Sequence, residues 1–229
     1  MFSDYKFHPS SLGLIMTGSR TKEELGETAK AHLMECYVSR KYGRRKDVTN
    51  KFIEKGLLAE EDSLDLYTLV KDQLFIKNQE TIENSYFIGT PDIIVGESEI
   101  VIDIKTSWDI FTFFSTIHKP MNKDYYWQLQ SYMDLIGARS AKLVYCLVNT
   151  PFKLIEDQKK KLMWTMGVID PEADEAYIKA CEMVDKNSNY DDIPMEERYM
   201  EFPIERDQDA IDKAHERVEF CRNFLNQLK

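Results

Sequence analysis

Residues 89–105, GTPDIIVGESEIVIDIK, limit what this chain can fold into, because two short β-branched runs meet across a turn and carry charge at their ends. The first run, Ile93-Ile94-Val95, opens after Asp92 and closes on Gly96; the second covers residues 100–105 and follows the turn-like Gly96-Glu97-Ser98-Glu99. Together they predict a β-hairpin. Alternation of side chains puts Val101, Asp103 and Lys105 on one face of the second strand and Ile100, Ile102 and Ile104 on the other. A carboxylate in so apolar a strand is costly to bury without a positive partner. Two arrangements would supply one. Lys105 could pair with Asp103 and do nothing else, or Asp92 and Asp103 could hold a divalent cation by oxygen, with Lys105 beside a reacting water.

The flanking elements follow from spacing. Residues 1–20 read as loop, with Ser10-Ser11 as the cap of a short helix whose free amide groups favour an anion. Residues 21–42 place Leu25, Ala29, His32, Leu33, Cys36 and Tyr37 at helical steps after a capping-box-like Thr21-Lys22-Glu23-Glu24. His32 falls on that apolar stripe, as a core or subunit-contact residue. A second helix is expected after Val48, carrying Phe52 through Val70 with Gly56 inside it. A glycine there costs about 1 kcal/mol relative to Ala, which predicts close approach of another backbone or of substrate. Glu60 lies one turn later on the same face, beside Glu61 and Asp62.

Residues 81–88 predict a first strand leading into the hairpin. Residues 108–123 are aromatic and irregular, a substrate-facing lid or packing for an extended core; exposed rings at Trp108 or Phe113 would offer base stacking. Residues 125–137 predict a helix that buries Leu129, Met133 and Ile136 and shows Gln128 and Tyr132, four apart, as a polar pair. Residues 141–148 read as a buried final strand. Beyond Pro151, helices are expected at 154–166, 171–185 and 210–228, bracing the core or making subunit contacts.

The chain has 229 residues, 43% of them hydrophobic, enough for one well-buried core. With no long apolar span and no signal-peptide layout at the N-terminus, it is expected to be soluble and cytoplasmic, without a membrane partner. Cys36, Cys146, Cys181 and Cys221 are too widely spaced for a zinc site and are expected to be reduced thiols. The net charge of −10 weighs against a nucleic-acid partner. It does not exclude one: the screening length at physiological salt is about 8 Å, and acids clustered at a metal site are partly offset by the cation. Basic clusters occur at Arg40-Lys41, Arg44-Arg45-Lys46 and Lys159-Lys160-Lys161.

Pro91-Asp92 followed by Asp103-Ile104-Lys105 resembles the signature of the PD-(D/E)XK nuclease superfamily. Gln128 and Tyr132 match the Gln-x-x-x-Tyr of its lambda-exonuclease/YqaJ/RecB-like phage exonuclease branch, and Gly56 with Glu60 match the Gly-x-x-x-Glu upstream. The four motifs stand in the family's order across residues 50–150. The resemblance implies an α/β fold: a restriction-endonuclease-like core with a mixed sheet flanked by helices in αβββαβ order, one domain over residues 1–229 with a C-terminal helical elaboration at 151–229. It implies a metal-dependent DNA nuclease, an exonuclease acting on linear duplex ends in recombination or DNA processing. Mg²⁺ or Mn²⁺ would be held by Asp92, Asp103, Glu60 and the Ile104 carbonyl, with Lys105, Gln128 and Tyr132 completing the catalytic set. Ser10, Ser11, Arg20, Arg44, Arg45 and Lys46 are candidates for DNA contact. Some relatives carry an iron-sulfur cluster on a cysteine triplet that this chain lacks, so none is expected. Some form rings around duplex, so a homo-oligomer and a single-strand-annealing recombination partner are further expectations. The alternatives are a structure-specific or single-strand endonuclease, a catalytically silent DNA- or protein-binding module that keeps the fold, and a hydrolase of another substrate class using the same metal site.

Overall fold

The structure, a computed structural model, describes residues 1–18, 24–46, 50–96 and 99–228. The predicted hairpin forms from β3 (Ile93–Val95) and β4 (Ile100–Thr106), which pair antiparallel with Ile93 opposite Ile102. Helix α6 (Lys123–Ile136) then carries the chain across to β5 (Ser140–Cys146), which runs parallel to β4 and sets Leu143 beside Asp103 and Tyr145 beside Lys105. A parallel neighbour requires such a crossover. The fourth strand, β6 (Tyr199–Glu205), pairs antiparallel with β5 and completes a mixed sheet in the order β3-β4-β5-β6.

Alternation along β4 sets two of the hydrophobic clusters on opposite faces of the sheet. Ile100, Ile102 and Ile104 face Leu66, Tyr67, Phe75 and Val144 beneath α4 (Glu60–Lys71), while Val101 faces Leu129, Tyr132, Met133 and Leu143 beneath α6. The second core extends well beyond the central motifs, through α1 (Pro9–Met16), α2 (Glu27–Tyr42) and α9 (Gln208–Gln227), with Leu12, Leu33, Val218 and Leu225 fully buried. Helix α1 lies flush on α6 because Gly13 meets the α6 backbone: a Cβ there would stand 2.7 Å from the Cα of Asp124. Among the described residues no helix is long and apolar enough to cross a membrane.

Several expectations are corrected. The helix expected after Val48 is two helices, α3 (Lys51–Leu58) and α4, because Ala59 leaves the helical region (φ −112°, ψ 16°). The turn lets Lys55 reach inward from α3 while α4 lays Leu66 and Tyr67 on the sheet. Among the described residues nothing outside its own helix lies within 4 Å of a Cβ built on Gly56. Residues 81–88 do not join the main sheet; Ile82–Glu83 (β1) pairs with Ile88–Gly89 (β2) in a separate ribbon, closed by the Asn84 side chain accepting from the amides of Tyr86 and Phe87. Ser10 and Ser11 cap nothing: the N-cap is His8, Pro9 opens α1, and Ser11 Oγ donates back to the His8 carbonyl at 3.0 Å. Helix α2 starts after Gly26, and residues 21–23 lie outside the described ones.

The aromatic segment after Lys105 is in part helical, as α5 (Ile110–Ser115), and Phe113 is fully buried against Leu147 and Tyr190 rather than offered to solvent. The last third is not all helix. Between α7 (Phe152–Met166), α8 (Glu175–Ser188) and α9 it contributes β6, whose Pro203 is tolerated because the strand lies at the sheet edge.

Glu201 ties that edge to α4. It accepts the Tyr67 hydroxyl at 2.6 Å and lies 3.1 Å from Lys71 Nζ and 2.9 Å from Lys142 Nζ. Burial pushes its carboxyl up, but the Tyr67 hydroxyl and the two ammonium groups outweigh that and hold it at about 2. A depressed carboxyl stabilises the fold above its unfolded pKa of about 4.3, and the contribution is lost as pH falls towards 2. Screening at this part-exposed site reduces it to about 2 kcal/mol. Glu201→Gln is therefore expected to lower Tm by roughly 4–8 °C at pH 7. Melts at pH 7, 4 and 3 should show the gap to wild type closing as the pH drops.

Candidate active site

Asp92 stands just before β3, where the chain enters the sheet. Asn78 fixes this entry: its amide donates to the Asp92 carbonyl at 2.7 Å and its side chain to the Pro91 carbonyl at 3.1 Å. The Asp92 carboxylate then takes the place of the next strand residue, accepting the Ile104 N–H at 2.9 Å. A strand residue directs its N–H and C=O to the same side, so the Ile104 carbonyl also leaves β4 on the Asp92 side.

Asp103 is 1% exposed. Its Oδ1 accepts Gln128 Nε2 at 2.9 Å; its Oδ2 forms an ion pair with Lys105 Nζ at 2.7 Å and has no other partner among the described residues. Lys105, two residues on and so on the same face, also sets its ammonium 5.0 Å from the centre of the Tyr125 ring. Burial lowers the pKa of Lys105, yet Asp103 and then Asp92 outweigh that and hold it above the ordinary lysine value. It is therefore an ammonium at neutral pH.

The two carboxyls shift the other way. Burial first, then Asp103, with Glu60 adding, pushes Asp92 up to about 7 against the pull of Lys105 and the Ile104 amide. Burial likewise pushes Asp103 up. One lysine does not supply enough positive charge for this group of acids.

Glu60 opens α4, half-buried, and its charge is felt at both aspartates, but its Oε2 pairs with Lys77 Nζ at 2.7 Å. Glu61 and Asp62 are exposed. Gln128 and Tyr132 do share the inner face of α6: Gln128 reaches Asp103, and the Tyr132 hydroxyl donates to the Thr90 carbonyl at 3.2 Å. Among the described residues no group of three or more His, Cys, Asp and Glu side chains is placed to hold a metal ion. Sequence reasoning passed over Lys77, Asn78 and Tyr125. None of the three stands in a pattern that sets it apart.

The candidate DNA contacts divide. Ser11, Arg45 and Lys46 line one open cleft of about 730 Å³, with His8, His32 and Glu35 on the same walls. Lys46 pairs with Glu35 at 3.0 Å. Ser10 and Arg44 are exposed, and Arg20 lies outside the described residues. Lys159, in the third basic cluster, is paired with Asp185 at 2.7 Å. Cys36, Cys146, Cys181 and Cys221 are all free thiols.

No protein-family model and no curated protein matches this sequence. Solved structures do match over nearly the whole chain. A phage-related exonuclease from Haemophilus somnus 129PT is 26% identical and superposes with a TM-score of 0.76 over 98% of this chain and 95% of that one. An alkaline exonuclease from Laribacter hongkongensis, 18% identical, gives 0.65 over 98% and 89%; the same enzyme in complex with dAMP gives 0.65 over 96% and 88%. The mixed sheet with helices on both faces is thus a fold that exonucleases of known structure share.

Proposed function

We propose that this chain is a DNA exonuclease of the PD-(D/E)XK kind, which hydrolyses phosphodiester bonds at linear duplex ends with the help of Mg²⁺ or Mn²⁺. One observation carries the reading. A fully buried carboxylate oxygen, Asp103 Oδ2, has Lys105 as its single partner among the described residues and stands beside a second carboxyl, Asp92, that burial and charge push up to about 7. Buried anionic oxygens in that condition need positive charge beyond what Lys105 gives. The overall likeness to a phage-related exonuclease supports the same reading.

The donor set suits a hard cation: two carboxylates, the Ile104 carbonyl on the same side, and Glu60 once it is released from Lys77. Bound there, the cation would supply the Lewis acidity that makes water a nucleophile at neutral pH and would offset charge on the phosphate. The chain's own residues do the rest. Lys105, held as an ammonium, hydrogen-bonds the attacking water or a phosphate oxygen and neutralises charge as the water oxygen bonds to phosphorus. The attacking water gives up its proton to solvent as it bonds to phosphorus, the ester bond to the leaving oxygen breaks, and that oxygen takes up a proton from solvent. Gln128 fixes the rotation of Asp103, and Tyr132 holds the 90–92 segment, so both are positioning groups.

End-labelled linear duplex and a covalently closed circle, incubated with Mg²⁺ and with excess chelator, test the reading. Nucleotides should leave the linear substrate only with Mg²⁺, and the circle should stay intact. A cut circle would turn the reading to the endonuclease alternative. Mn²⁺ binding without any cleavage would turn it to the silent module.

A further inference from the structure

The face of β4 that carries Asp103 and Lys105 continues across the sheet into a cavity of about 270 Å³. Register sets its floor: Leu143 and Tyr145 on β5 stand beside Asp103 and Lys105, and Phe202 on β6 stands beside Leu143. Directly paired residues share a face of the sheet. The segment joining α5 to α6 roofs the space, with Ser115 and Asn122 contributing polar groups to the lining. Tyr125 is the wall shared with the active site. Its ring lies 5.0 Å from Lys105 Nζ on one side and 6.3 Å from the Tyr145 ring on the other.

We propose that this cavity is a subsite for a single nucleobase, the base of the nucleotide whose phosphate lies at the Asp92–Asp103 pair. The inference rests on the nuclease reading for the position of that phosphate. Three features select a base over other occupants. The cavity is smaller than the roughly 300–1,000 Å³ of a pocket for a complete drug-sized ligand, so it suits a fragment. Its rings, Tyr125, Tyr145 and Phe202, offer π-faces and edges on which any base packs regardless of identity. Ser115 Oγ is taken up by Thr112 and Lys119 and Asn122 Oδ1 by the Asp124 amide, but the exposed Asn122 side chain keeps its Nδ2 donor for the edge of a base. A subsite of this kind would let the enzyme hold a terminal nucleotide without reading its sequence.

Calorimetric titration of the full chain with thymidine monophosphate and with deoxyribose phosphate, in Mn²⁺ and in chelator, isolates the base. Thymidine monophosphate should bind at least about tenfold more tightly, the order of one stacking contact. In Ser115→Phe, where a ring fills the cavity, the two affinities should converge while deoxyribose phosphate binds as before. Equal affinities in the wild-type protein, or no binding of either, overturn the subsite without need of any variant. A preference that survives in Ser115→Phe overturns its location. The linear-duplex assay run on the same protein separates this from the nuclease reading. Base-dependent binding without cleavage sinks the nuclease and leaves the pocket; cleavage with equal binding does the reverse.

Discussion

Replacing Asp103 by Asn is expected to slow nucleotide release from a linear duplex in Mg²⁺ by about 10²- to 10³-fold, the cost of removing one preorganised charge from a reacting site. The change is nearly isosteric. The amide oxygen can still accept from Gln128 Nε2, so what disappears is the negative charge at Oδ2, the oxygen that only Lys105 meets among the described residues. Lys105→Met should cost a similar factor by the opposite route: the apolar stem stays and the ammonium is lost, leaving Asp92 and Asp103 to face each other. Gln128→Leu removes only the group that orients Asp103 and is expected to cost about 10- to 100-fold. Glu61→Gln, an exposed neighbour outside the site, should match wild type and serves as the control. Far-ultraviolet circular dichroism establishes that each variant is folded before its rate is read. Activity in Asp103→Asn within a few-fold of wild type would remove the buried carboxylate from the chemistry altogether.

The residues gathered at this site were legible where the pattern was local. Alternation along β4 fixes that Asp103 and Lys105 share a face, and a spacing of four on α6 brings Gln128 and Tyr132 to one side; both rules act within a single element. Legibility failed where the deciding contact came from elsewhere. Lys77 and Asn78 stand in a polar stretch with nothing to single them out, yet one neutralises Glu60 and the other pins the strand entry at Pro91 and Asp92. Helix α3 shows the same limit from the other side. Its sequence advertises Phe52, Ile53 and Leu57 as the inward face, but these are 56%, 41% and 71% exposed, while Lys55 is 1% exposed. The lysine lies inside because its ammonium donates to the Trp108 carbonyl at 2.8 Å and to Thr150 Oγ1 at 3.1 Å, where the chain leaves β4 and β5. Burial lowers its pKa to about 8. Strand β6 escaped notice for a related reason: its mixed residues and Pro203 suit an edge that only β5 can define.

In chelator the folded protein is expected to lose stability as pH rises from about 4 to about 7, and a divalent cation is expected to restore it. The sign follows from Asp92, whose folded pKa of about 7 lies above its unfolded value of about 3.9. A group raised in this way contributes its stability fully below the unfolded pKa and loses it as pH climbs through the folded one, an effect of up to about 4 kcal/mol for such a shift. Asp103 is pushed in the same direction and adds to the trend. A cation that grips the ionised pair acts oppositely, because it binds the folded chain and competes with protons. At a hundredfold excess over its dissociation constant it stabilises by about 2.7 kcal/mol, a rise in Tm of roughly 5–10 °C for a chain of this size. That rise should be larger at pH 8 than at pH 5, where protons occupy the site. Asp103→Asn should lose most of it, and Glu201→Gln, which alters only the far edge of the sheet, should keep it. Melting curves in chelator and in Mn²⁺ at the two pH values decide the matter apart from any cleavage assay. An equal rise in Asp103→Asn and wild type would mean that Mn²⁺ binds somewhere other than between the two aspartates.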